Sequence, residues 1–126
     1  MTVLRQPATM GDVLKYELNP NFTRETVTLL AGTNYLVGAV LGRITASGKL
    51  KLSTASGTDG AQSAAGILLQ AVNASGADGI GVVIVRGPAI VSKAALFFDA
   101  SVDDATKTAA KHAQLTTLGI VPRDTA

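Results

Sequence analysis

Residues 48–72 read GKLKLSTASGTDGAQSAAGILLQAV. Strict alternation over Lys49-Leu50-Lys51-Leu52 puts both lysines on one face of a short strand and both leucines on the other. A loop of Ser, Thr, Gly, Ala, Asp and Gln follows, and then the apolar run Ala64-Ala65-Gly66-Ile67-Leu68-Leu69. Such a loop carries little that catalyses a reaction. Its small side chains join two strands and let other backbone approach closely.

Upstream, residues 22–30 (FTRETVTLL) alternate β-branched and polar residues and predict a strand. After the turn Ala31-Gly32-Thr33-Asn34, residues 35–44 (YLVGAVLGRI) predict a second, apolar strand interrupted by Gly38 and Gly42. Glycine inside a strand marks a bulge, a bend or a close backbone neighbour. Downstream, residues 65–72 predict a buried strand, residues 73–79 a wide turn and residues 80–86 (IGVVIVR) the most β-branched strand of the chain. Gly87-Pro88 breaks that run, and Ala89-Ile90-Val91 continues as a short strand.

A single helix is expected over residues 102–118, with Ser101 as N-cap and Asp103 and Asp104 in its first turn, where carboxylates favour the positive helix end. Val102, Ala105, Ala109, Ala113 and Leu118 form its apolar stripe, with Lys107 and Lys111 on a wetter side. Gly119 ends it, and Ile120-Val121 adds a last strand before Pro122.

Residues 1–21 read instead as an extended N-terminal arm. Pro7 and Pro20 hold the chain extended or turned, and Val13, Leu14, Tyr16 and Leu18 follow no period. The expected organisation is therefore an arm over residues 1–21 and one β-rich domain over residues 22–126, of the mainly β (α+β) class. An arm of this kind is ordered by docking on a neighbour or, in the alternative reading, by folding back on its own domain.

The chain has 126 residues, 47% of them hydrophobic, 16% charged and only 4% aromatic. That is one domain with more aliphatic surface than a domain of this size hides by itself, which favours an oligomer. The net charge of +2 comes from scattered Lys and Arg and indicates no phosphate track, so nucleic acid is not an expected partner. Zero cysteine removes disulfides, thiolate metal sites and thiol nucleophiles. The start lacks a secretory pattern, and no apolar run reaches the roughly 20 residues of a membrane span, so the chain reads as one made and assembled in a cytoplasm.

Chemistry has few candidates. His112, the one histidine, stands on an alanine-rich helix without a motif, which suits a surface or interface role. Gly76, Gly79 and Gly81 match no phosphate-binding pattern, and Asp59 sits in a turn where Asp bonds its own backbone. No Ser-His-Asp set and no metal-ligand spacing occurs. The expectation is a binding or structural protein, not an enzyme, without cofactor.

Gly57-Thr58-Asp59-Gly60-Ala61 followed by Ala65-Gly66-Ile67-Leu68 resembles the lambda-type bacteriophage head decoration proteins. The resemblance continues through residues 82–91 (VVIVRGPAIV), Ala95-Leu96, the Asp-rich helix start and Leu118-Gly119-Ile120-Val121, and includes residues 11–17 (GDVLKYE). It thus spans nearly the whole chain, by the order and spacing of individually weak motifs. The N-terminal segment differs from that of phage lambda, and Phe97-Phe98-Asp99 stands where lambda has a Trp-Pro pair.

The resemblance implies a small barrel or sandwich of the β-clip type, assembled as a homotrimer on the outside of the virion head. The trimer would sit at local threefold positions of the expanded icosahedral shell. There it would clamp the major capsid protein against the pressure of packaged DNA. It also implies an arm that adds a strand to capsid elements. Thr2, Val3, Leu4, Arg5, Gln6, Pro7, Ala8, Thr9 and Met10 are the expected added strand, with Val13, Leu14 and Tyr16 packed closer to the trimer body. Two rivals are weighed. A dUTPase-like trimeric enzyme would need Gly-Ile-Asp, whereas Leu68 follows Gly66-Ile67 here. A virion adhesin or glycan-binding protein would need aromatic platforms, and the chain has three Phe, two Tyr and no Trp.

Overall fold

The computed structural model of the protein describes residues 10–124. Its centre is a closed five-stranded barrel in the order β2-β5-β4-β6-β8, formed by Arg24–Leu29 (β2), Val40–Arg43 (β4), Leu50–Leu52 (β5), Ala64–Leu68 (β6) and Gly79–Ile84 (β8). Closure leaves the barrel no free edge. A two-stranded sheet of Thr33–Tyr35 (β3) and Val72–Ala74 (β7) lies beside it, and a three-stranded sheet joins Leu14–Glu17 (β1), Ala89–Ser92 (β9) and Ile120–Arg123 (β10). The helix Ala105–Thr117 (α3) makes the crossover between the parallel strands β9 and β10. The mainly β class with one C-terminal helix is the expected one.

The core has two parts. Val27, Leu29, Tyr35, Leu41, Leu50, Leu68 and Val83 belong to one, with Tyr35 Oη donating to the Leu30 carbonyl at 2.7 Å. The second brings Val13, Val40, Ile67, Ile84, Val91, Leu115 and Ile120 together between barrel, outer sheet and helix.

Within the arm expected over residues 1–21, residues 10–17 pair and pack with the rest of the chain. Met10–Val13 forms a helical turn (α1) that buries Val13 completely. One such burial is worth roughly 1.5–3 kcal/mol. β1 then pairs antiparallel with β9. Asn19 caps a second turn, Pro20–Thr23 (α2), its side chain accepting from Asn21 N at 2.9 Å, so β2 begins later than the sequence suggested.

Glu17 ties the segment to the barrel. Its carboxylate accepts from Thr23 Oγ1 at 2.7 Å and from the Arg24 guanidinium. Burial alone pushes this carboxyl up, but the hydrogen bonds from Arg24 and Thr23 and the Arg24 charge outweigh it and hold the group below its usual 4.5. A lowered folded-state value means stability that is complete above the unfolded pKa and lost as pH falls through the folded one. The stability difference between wild type and Glu17→Gln should therefore shrink between pH 5 and pH 3 in urea titrations. A difference independent of pH would refute this tie.

The apolar run over residues 35–44 is split because Gly38, at φ +88°, turns the chain. Part of the turn expected over residues 73–79 is strand β7, which pairs with β3. The helix starts later than expected. Asp104 is its cap, accepting from Lys107 N at 2.8 Å, while Ser101 turns back onto Asp99 with Oγ to Oδ2 at 2.6 Å. Ala105, Ala109 and Ala113 are exposed, and the helix buries Lys111 and Leu115 instead. Lys111 is thus on the dry side, contrary to the sequence reading. Residues 108, 111, 115 and 118 share one face, and Leu115 outweighs three alanines in choosing which face turns inward.

Candidate functional site

The signature loop is a structural hub. Within it Asp59 Oδ1 accepts from Ala61 N at 3.0 Å and Gln62 Oε1 from Gly60 N at 2.8 Å. Lys51 pairs with Asp59 at 2.6 Å, and its hydrogen bond is the main cause holding that carboxyl below its usual range. Beneath the loop the buried Lys111 ammonium donates to Ser53 Oγ at 2.9 Å and to the Thr54 and Gln62 carbonyls at 2.6 Å each. Burial lowers the pKa of this lysine, with Asp99 acting in the opposite direction. Three donors meet three acceptors, so the cation is spent on holding residues 53–62 to the helix. Sequence periodicity missed this residue; Leu115, one helical turn further on, was the available signal.

Two apolar surfaces remain. On the outer sheet, Tyr16 and Val121 both pair with Ile90, so the three side chains form one row on one face. Tyr16 is 49% exposed and Val121 38%. Leu18, whose N–H reaches the Pro88 carbonyl at 3.1 Å, is exposed just beyond.

The second surface is a groove of about 250 Å³ between Leu36, Val37 and Ala71 on one side and residues 94–97 on the other. No charged side chain lines it. Its walls are pinned by backbone hydrogen bonds: Ala39 N to Leu36 O, Gly38 N to Leu68 O, Phe97 N to Gly38 O and Val40 N to Phe97 O, all between 2.9 and 3.1 Å. A Cβ on Gly38 would stand 2.3 Å from the Ala95 carbonyl oxygen and 3.2 Å from Val13 Cγ2, so α1, Gly38 and the groove wall are packed together.

Of the residues expected to bind a capsid, Thr2, Val3, Leu4, Arg5, Gln6, Pro7, Ala8 and Thr9 lie outside the described residues. Met10 opens α1 and is partly exposed, Tyr16 faces out, Leu14 is half-buried and Val13 is wholly buried. Val13 therefore anchors α1 in the core.

Reactive groups do not converge. Among the described residues no three His, Cys, Asp or Glu side chains stand close enough to hold a metal ion, and no helix is long and apolar enough to cross a membrane. The His112 ring leans on Phe98 at 5.9 Å with Nε2 buried and unbonded, and burial, helped by Lys93, lowers its pKa. Several cations pair with carboxylates: Lys49 with Asp78 and Lys107 with Asp103, at 2.6 and 2.7 Å, and Arg86 with Glu25. The geometry leaves two exposed apolar surfaces beside a closed barrel.

The family model described as bacteriophage lambda head decoration protein D matches residues 3–120 of this chain. No curated protein sequence matches it.

Proposed function

This chain belongs to the bacteriophage lambda head decoration protein D family, and from that membership we propose that it binds the outer surface of the expanded phage head as a homotrimer. It is a structural component of the head, of a family built for capsid decoration. At local threefold positions it clamps neighbouring major capsid subunits against the pressure of packaged DNA. The family match across residues 3–120 carries this reading. A closed barrel beside a sheet that exposes an apolar row supports it.

Residues 2–9 supply a strand to the capsid protein. Strand addition draws its affinity from main-chain hydrogen bonds and needs little side-chain selectivity, which suits a short, mostly uncharged segment. Many copies on a closed shell make modest single-site affinities cumulative.

Because Val13 and β1 belong to the folded body, the informative truncation removes residues 2–9 and no more. The truncated protein should keep the trimer mass in light scattering and lose co-sedimentation with expanded heads. Undiminished binding by the truncated protein would overturn the arm's role. Equal binding of wild type to unexpanded and expanded heads would overturn the gating by expansion.

A further inference from the structure

We propose that His112 is an acid-sensitive latch: neutral, its ring fastens the crossover helix α3 to the strap over residues 96–101, and on protonation it lets that strap go.

The His112 ring stands 5.9 Å from the Phe98 ring at an interplanar angle of 58°, a tilted aromatic contact between helix and strap. Phe98 in turn packs, with Leu96, against the core shared by barrel, outer sheet and helix. His112 Nε2 is buried there and has no hydrogen-bond partner among the described residues. The strap is also held at Phe97, whose N–H donates to the Gly38 carbonyl and whose carbonyl accepts from Val40 N, both at 2.9 Å. Ser101 Oγ accepts from Ala55 N at 3.0 Å at its far end.

A neutral imidazole tolerates this seat better than an imidazolium does. The cation carries an N–H on both ring nitrogens, so Nε2 becomes a charged donor that faces no acceptor. A buried charge without a partner costs far more than a buried neutral polar atom. Turning Nε2 out to water relieves that cost and takes the ring off Phe98. The charged groups acting on the ring come from two other places. Lys93, on the turn Lys93–Ala95, opposes a second cation, and Asp124, just after β10, favours it. Asp99, the strap's own carboxylate, accepts from Ser101 and acts on Lys111. Burial and Lys93 prevail over Asp124, and the ring titrates below its usual 6.5.

A folded-state value below the unfolded one means that the unfolded chain takes up the proton first. Stability is therefore complete above about pH 6.5 and falls as pH drops through that value, until the folded ring is protonated too. Within that window the folded-to-unfolded ratio falls by at most about tenfold per pH unit. Glu17, Asp59, Asp78 and Asp103 are all held below their usual range, so their losses come at lower pH.

The full chain suffices for the test, without phage heads, so its outcome is independent of the capsid-binding reading. In an NMR titration the His112 ring should titrate below 6.5, higher in Lys93→Met and lower in Asp124→Asn. Between about pH 7.5 and 5.5 the urea midpoint of wild type should fall by more than that of His112→Gln. The Val40 and Phe97 amides, each relative to the same amide in His112→Gln, should exchange several-fold faster at the lower pH. A ring that titrates at or above 6.5 would overturn the latch. Midpoints that fall in parallel, or an exchange ratio unmoved by pH, would do the same. Should His112→Gln not fold, Lys93→Met at its exposed position decides, since a pH dependence as steep as that of wild type overturns the latch.

Discussion

A Lys111→Met protein should unfold at clearly lower denaturant than wild type, its stability reduced by about 2–4 kcal/mol. Two effects compete in this substitution. Removing a buried ammonium relieves the cost of having desolvated it. It also strips the Thr54 and Gln62 carbonyls and Ser53 Oγ of a charged donor at 2.6–2.9 Å. Ser53 Oγ keeps its bond to the Ala61 carbonyl at 2.7 Å, but each of the two carbonyls left unpaired costs about 1–3 kcal/mol, and together they outweigh the relief. Methionine keeps most of the volume, so the change isolates the hydrogen bonds from the packing.

Lys111→Glu should give no folded protein, because a carboxylate would face those same acceptors without a donor. Lys107→Met is the control. Lys107 is exposed and pairs with Asp103 on the helix surface, so its midpoint should stay where it was. Measurements belong at fixed protein concentration, since assembly adds to apparent stability. A Lys111→Met protein as stable as wild type would refute the hub.

The second large effect is expected at Gly42. A Cβ there would lie 2.2 Å from the Ala61 carbonyl oxygen and 2.6 Å from Ala61 Cα. Both positions are buried, and the obstacle is backbone and not the end of a mobile side chain. The substitution forces β4 and the signature loop apart. Overpacking a well-filled core costs about 1–3 kcal/mol where side chains can shift, and the upper end or more applies where backbone must move. Gly42→Ala should therefore lose about 3 kcal/mol or more, a large share of a domain's ~5–15 kcal/mol. Gly48→Ala, whose added Cβ meets nothing within 4 Å, tests crowding against the milder effect of its φ of +75° and should lose less. Equal losses for both variants would show that close approach to Ala61 is not what Gly42 provides.

Both predictions centre on residues 53–62, the loop that carries the family resemblance. Thr58-Asp59-Gly60-Ala61 owes its pattern to packing: Asp59 and Gln62 bond the loop's own amides, Ala61 lies against Gly42, and Lys111 closes it from beneath. The signature is that of a scaffold. The exposed apolar surfaces lie elsewhere, at the sheet row of Tyr16, Ile90 and Val121 and the groove at Leu36 and Phe97.

The arm was legible only in part. Proline at positions 7 and 20 and the aperiodic residues between them pointed to a segment outside the core. Yet Val13 is as buried as any residue of the barrel. A four-residue turn and a four-residue strand are too short to display a period, and what places them is a partner, β9, some seventy residues away.

By itself the sequence determined the β class, the late helix and the family pattern. Those properties are local: alternation with period two, turn residues at strand ends, a carboxylate before a helix, and residue types that are present or missing. Tertiary structure alone decided which helix face turned inward, that an apolar run would be split at Gly38, and that residues 10–17 would join the body. It also decided that Leu36 and Phe97, sixty-one positions apart, would face each other across one groove. Each of these depends on backbone or side chains brought from distant positions. Their energies are set by close packing and by pairing buried polar groups, and neither leaves a mark on the local pattern of residues.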